Sequence, residues 1–189
     1  LKELNLAKTE PKKSKRRKWI RYERRHSNSL WHTDWFEYRR KQYIIYEDDA
    51  SRYITGYGVF SSATTDYSIN VFDRAIKNNG KPKQVLSDHG TQFSSDDQKI
   101  FRFKEHLKAK DIELIQARVK HPQTNGKLEK LNHTLKTLLK EFNDDLDKTV
   151  KFYNHVRPHM SLYNGHTRTP YQAYKDKKKK KPTKNTERN

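Results

Sequence analysis

The stretch Trp31-His32-Thr33-Asp34-Trp35-Phe36-Glu37-Tyr38 decides how this chain folds. It alternates and is rich in aromatics, so it reads as a strand. Arg39-Arg40-Lys41 follow as a polar turn. Gln42-Tyr43-Ile44-Ile45-Tyr46-Glu47 then reads as a second strand, closed by Asp48-Asp49. Tyr53-Ile54-Thr55-Gly56-Tyr57-Gly58-Val59-Phe60 reads as a third. Three consecutive strands with short connections predict an antiparallel meander. The glycines of the third strand weaken it but permit close backbone approach.

Beyond the meander the period changes. Thr64 or Thr65 can cap a helix running to Lys77, with Tyr67, Val71, Phe72, Ala75 and Ile76 at helical spacing. Asn78-Asn79-Gly80 ends it. Gln84-Val85-Leu86-Ser87 is a short fourth strand stopping at Asp88, and a polar helix near 96–110 carries Ile100, Phe103 and Leu107 on one face. Ile112–Ala117 reads as the fifth strand. A loop over 119–125 leads to a helix from about Gly126 to Phe142, and a last helix spans about 145–156. Strand–helix–strand units after a meander predict an α/β fold, with a mixed five-stranded sheet flanked by helices.

The 189 residues carry 42 Lys+Arg against 23 Asp+Glu, a formal net charge of +19. The excess lies on the flanks. Residues 1–30 hold 11 basic and 3 acidic groups, residues 175–189 hold 8 and 2, and the residues between them hold 23 and 18. The chain therefore divides into a basic N-terminal linker (1–29), a balanced folded segment (30–174) and a Lys-rich tail (175–189) expected to be disordered. A polyanion is the natural partner of such flanks, and nucleic acid is the first candidate. Cysteine is absent, which excludes disulfides and thiolate metal sites and fits a reducing compartment. No apolar run approaches the ~20 residues of a membrane span, and no signal peptide is recognisable.

Three acids stand at element ends. Asp34 lies in or at the end of the first strand, Asp88 ends the fourth, and Glu129 opens the helix after the loop His121-Pro122-Gln123-Thr124-Asn125. Strand ends gather active sites in open α/β sheets. Carboxylates from separate elements suit Mg²⁺ or Mn²⁺, and two such ions can clamp an in-line phosphoryl displacement. From spacing alone other readings stand beside this one. Asp34 also reads as a surface-facing strand residue, Asp88 as a turn former before His89-Gly90, and Glu129 as a first-turn acid favoured by the helix dipole. Asp48 and Asp49 are rival ligands that read equally well as a tight turn.

Five ordered motifs carry a resemblance. They are Trp31-His32-Thr33-Asp34, Asp49-Ala50-Ser51-Arg52-Tyr53, Ser87-Asp88-His89-Gly90-Thr91-Gln92-Phe93, His121 to Glu129, and Tyr153-Asn154-His155-Val156-Arg157-Pro158-His159. Together they resemble the catalytic core of the retroviral-integrase superfamily, and most closely the DDE-type insertion-sequence transposases. The resemblance covers about residues 31–174. It implies an RNase H-like fold in which Asp34, Asp88 and Glu129 are catalytic and bind two divalent metals, Mg²⁺ or Mn²⁺, per active site. Forty residues lie between Asp88 and Glu129, a few more than in retroviral integrases.

The same resemblance implies DNA strand cleavage and strand transfer, with element ends and target DNA as partners and assembly into a homo-oligomer on DNA. It implies neither a membrane nor a small-molecule substrate. A cytoplasmic protein, nucleoid-associated on DNA, is the expected setting. Residues 1–29 resemble the end of a helix-turn-helix module and its linker. The alternative is a truncated, inactive transposase that acts at most as a basic nucleic-acid-binding protein.

The helix after Gly126 has two faces. Leu128, Leu131, Leu135, Leu138 and Phe142 form an apolar stripe, while Glu129, Asn132, His133, Lys136 and Lys140 lie together on another face. Lys136 and Lys140 continue that face away from Glu129 and are candidate DNA contacts, together with Lys127, Lys130 and Arg157.

Overall fold

The structure, a computed structural model, describes residues 23–87, 97–116, 122–162 and 167–178. The strands are β1 (Leu30–Tyr38), β2 (Lys41–Asp48), β3 (Ile54–Phe60), β4 (Gln84–Ser87) and β5 (Glu113–Gln116). The helices are α1 (Thr65–Asn79), α2 (Asp97–Lys108), α3 (Pro122–Glu141), α4 (Leu146–His155) and α5 (Pro170–Asp176). A 3₁₀ turn at Met160–Leu162 precedes α5.

One sheet holds all five strands in the order β3-β2-β1-β4-β5. β1 pairs antiparallel with β2, and β2 with β3, as the meander predicted. β4 crosses over through α1 to lie parallel to β1, and β5 lies parallel to β4. Both faces are covered, so the central strands are buried almost throughout. On one face Trp31, Trp35, Ile44, Tyr46 and Val85 pack with Val71, Phe72 and Ala75 of α1 and Phe103 and Leu107 of α2. On the other, Phe36, Tyr43 and Ile45 pack with the leucines of α3 and with Leu146, Val150 and Tyr153 of α4.

The caps follow from sequence. The Thr64 side chain accepts from the Tyr67 amide at the start of α1, and Gly80 closes it at φ 87°. Asp145 caps α4 by accepting from the Lys148 amide. Gly56 serves close approach, since a Cβ there would lie 2.7 Å from the Cβ of Ala75.

Three expectations change. α3 begins at Pro122 rather than near Gly126, so Glu129 lies about two turns inside the helix and is not a first-turn acid. Proline favours the start of a helix, where its missing amide hydrogen costs nothing. The buried stripe of α3 is Leu128, Leu131, Leu135 and Leu139; Leu138 is only half-buried, and Phe142, also half-buried, lies past the helix end. Finally, α5 was not predicted. Its Thr169–Gln172 capping box with Pro170 inside the first turn was a legible signal.

The packed unit reaches past both borders drawn from composition. The Ser27 amide donates to the Lys177 carbonyl at 3.0 Å. The Ser27 hydroxyl donates to the Tyr174 carbonyl at 2.9 Å. Lys175 and Asp176 complete α5. Among the described residues no helix is long and apolar enough to cross a membrane.

Candidate active site

Parallel pairing of β1 with β4 places Thr33 opposite Ser87. The residues that follow them in sequence are Asp34 and Asp88. Asp34 is half-buried and lies opposite Ile45 of β2, on the sheet face covered by α3. Its Oδ2 accepts a hydrogen bond from Asn132 Nδ2 of α3 at 2.7 Å. Glu129 is exposed on α3, three residues before Asn132 and therefore on the same side of the helix. The structure thus brings Asp34 and the Glu129-bearing helix to one rim. Asp88 lies outside the described residues, as do His89 and His121. Among the described residues no three His, Asp or Glu side chains form a group able to hold a metal ion.

The rival acids have other occupations. Asp48 holds the β2–β3 turn. Its Oδ2 accepts from the Ser51 amide at 3.0 Å and the Ser51 hydroxyl at 2.6 Å, and its Oδ1 accepts from the Asn28 amide at 2.7 Å. Burial pushes its carboxyl up to about 6.

Asp49 is the centre of a buried polar cluster that sequence reasoning did not foresee. His32 Nε2 lies 2.9 Å from its Oδ1, Lys127 Nζ donates to the same oxygen at 2.6 Å, and the Arg24 amide donates to Oδ2 at 2.6 Å. Arg52 Nη1 stands 3.5 Å away. Burial would raise the Asp49 carboxyl. Hydrogen bonds and charge from His32 and Lys127 outweigh burial and hold it well below the usual carboxylate range. Burial lowers the pKa of His32 against the pull of Asp49, and its buried Nδ1 has no hydrogen-bond partner.

Next to this cluster lies Glu47, 2% exposed, whose Oε1 accepts from the Tyr153 hydroxyl at 3.3 Å. Burial pushes its carboxyl up to about 7, with Arg52 opposing.

The candidate DNA-contacting cations fall into two groups. Lys130 and Arg157 face a cleft of about 300 Å³ between α3 and the end of α4, lined also by Glu47, Arg52 and Lys127. The Lys127 ammonium is already engaged by Asp49. Lys136 and Lys140 are exposed on the Glu129 side of α3, and the Lys136 ammonium sits 5.6 Å from the Phe36 ring centre, two residues past Asp34. Of the motif around Tyr153, Asn154 turns out to be architectural. Its buried amide accepts from the Ile54 amide at 2.9 Å and donates to the Ile54 carbonyl at 3.0 Å, fixing the start of β3.

The integrase core domain family matches residues 24–122, slightly more than half of the sequence, and this chain belongs to that family. The matched span includes Asp34, Asp49 and Asp88 and ends before Glu129. Solved structures with the same fold include the catalytic core domain of BIV integrase, with a TM-score of 0.63 at 18% identity over 79% of this chain and 95% of that one. The HTLV-2 integrase catalytic core domain in complex with magnesium (dimeric form) gives 0.58 at 20% identity over 79% and 97%. A simian T-cell lymphotropic virus intasome in complex with PP2A regulatory subunit B56 gamma gives 0.66 at 20% identity. There 81% of this chain is covered but only 56% of the other, so this chain spans little more than half its length. At these identities the likeness is one of fold, and the mixed five-stranded sheet flanked by helices is the RNase H-like fold of integrase cores. No curated protein sequence matches the chain.

Proposed function

We propose that this chain is the catalytic core of a DDE-type transposase or integrase that cleaves DNA strands and joins them to new positions. The observation that carries the reading is the rim geometry. The β1–β4 register aligns the strand positions just before Asp34 and Asp88, and the Asn132–Asp34 hydrogen bond brings the Glu129-bearing helix to Asp34. Asp34, Asp88 and Glu129 are assigned as the metal ligands. The donors are all carboxylate oxygens and the chain has no thiolate, which fits a hard divalent ion such as Mg²⁺ or Mn²⁺. Two bound ions would supply activation of the attacking water or 3′-hydroxyl and stabilise the leaving oxygen.

The protein's own share is positional. Asn132 holds the Asp34 carboxylate by one oxygen. Lys136 and Lys140 line the exposed side of α3 along which a DNA strand would leave Glu129, and Lys130 and Arg157 meet phosphates at the neighbouring cleft. One phosphodiester replaces another, so the joining step needs no nucleotide energy source. In this reading the protein works on DNA ends as a homo-oligomer, in the cytoplasm and at the nucleoid. Membership of the integrase core family favours this catalytic reading over that of an inactive, merely nucleic-acid-binding remnant.

The test is a strand-transfer assay with Mn²⁺ on labelled DNA ends. Asp34→Asn, Asp88→Asn and Glu129→Gln are each expected to reduce joining by at least about a hundredfold while leaving DNA binding in place. Joining that survives these substitutions overturns the assignment.

A further inference from the structure

We propose that Asp49 is a positioning residue, which sets the roll of α3 about its own axis and so aims Glu129 at the rim that carries Asp34. The inference rests on the reading of Asp34 and Glu129 as active-site groups, and it adds a residue outside that triad.

The argument begins with the anchoring of α3. Leu128 and Leu131 bury the helix against the sheet and α4, but apolar packing is non-directional and resists rolling weakly. Two polar tethers flank the Glu129 position. Lys127 reaches Asp49 at 2.6 Å, and Asn132 reaches Asp34 at 2.7 Å. Five residues apart, they point about 140° from each other around the helix axis, one on each side of the leucine stripe. A tether on only one side would leave the helix able to pivot. Tethers on both sides fix its roll, and Glu129 lies between them in sequence.

The Asp49 end of this tether is itself rigid. Asp49 is 2% exposed and is held by three further groups: the His32 ring on β1, two residues before Asp34; the Arg52 guanidinium after the β2–β3 turn; and the Arg24 amide ahead of β1. One carboxylate therefore joins the strand that bears Asp34 to the helix that bears Glu129. A charge-assisted bond at a mostly buried site is among the stronger and more directional contacts available. Misplacing a reacting group by about 1 Å can slow a reaction about a hundredfold.

The experiment uses the full chain, with Asp49→Asn, Lys127→Met and the double variant. Lys127 is partly exposed, so its substitution tests the idea even where Asp49→Asn fails to fold. First, amide hydrogen exchange across residues 126–133 is measured without DNA or metal. The expected result is faster exchange in each variant and no further increase in the double. Unchanged exchange in Lys127→Met overturns the proposal, whatever the enzyme's reaction proves to be. Second, strand transfer is measured against Mn²⁺ concentration. Each single variant is expected to lose about tenfold to a hundredfold in rate and to need more Mn²⁺ for half-maximal rate, with the double no worse than either single. A merely structural role lowers the amount of active protein and leaves the half-maximal concentration unmoved, and that outcome also overturns the proposal. A wild-type chain that joins no DNA refutes the proposed function instead, and the exchange measurement still decides the role of Asp49.

Discussion

Glu47 and Asp49 sit two residues apart and show how placement decides the state of a carboxyl. Asp49 has donors on both oxygens and stays ionised. Glu47 has one long bond from Tyr153, and its Oε2 is buried with no hydrogen-bond partner. Its pKa is pushed up to about 7 by burial, above the value of about 4.3 usual for an unfolded chain. The folded state therefore holds the Glu47 proton more tightly than the unfolded one. The stability this brings is complete below about pH 4 and is lost as pH rises through about 7. Asp48, pushed up to about 6, acts in the same direction. The expected outcome is that Glu47→Gln flattens the fall in melting temperature between pH 5 and pH 8 and melts above the wild type at the upper end, by a few degrees. Parallel curves for the two proteins would show that Glu47 titrates normally. None of this was legible beforehand, because in the sequence Glu47 is simply the polar residue that closes an apolar strand.

At the scale of elements, β3 and α1 meet through glycine. The approach leaves no room at Gly56 or Gly58, where an added Cβ would come within 2.7 Å of Ala75 Cβ and 2.9 Å of Val71 Cγ2 respectively. Gly56→Ala is expected to cost about 1–3 kcal/mol by forcing β3 and α1 apart. Chemical denaturation measures this, and Ala75→Gly in the same chain should recover part of the loss. If Gly56→Ala proves neutral, the contact is looser than the geometry shows. Strands were readable because aromatic alternation and turn residues are local signals, as in Trp31–Tyr38 and Arg39–Arg40. Helix starts were less readable. Pro122 and Gly126 look like loop residues by composition, yet proline is at home in the first helical turn, and Gly126 has open space around it inside α3.

For the whole molecule, charge and fold are separable. The core residues between the basic flanks are nearly balanced in charge, while the described residues from Glu23 onward pack as one unit with α5. A protein acting on DNA in this way should lose affinity steeply with added salt, with a slope that counts the phosphates its cations neutralise. Removing residues 1–22, which carry nine Lys and Arg, is expected to reduce that slope by several units without lowering the melting temperature. Asp34→Asn should leave the slope unchanged. Titration of a labelled duplex at a series of salt concentrations measures both, and an unaltered slope after truncation would remove the flank from the DNA interface.

The sequence by itself determined the meander, the crossover helices and the family, because each is written in short-range periodicity or in contiguous motifs. It also singled out Asp34, Asp88 and Glu129 as candidates, though only through their motifs. What only the tertiary structure decided is how those motifs are held. Asp49 gathers groups 17, 25 and 78 residues away, Asn132 reaches Asp34 across 98 residues, and Asn154 clamps Ile54 across 100. Such partnerships leave no periodic trace. A single buried carboxylate or amide satisfies its hydrogen bonds with whatever the folded chain brings near, and that is set by packing rather than by neighbours in sequence.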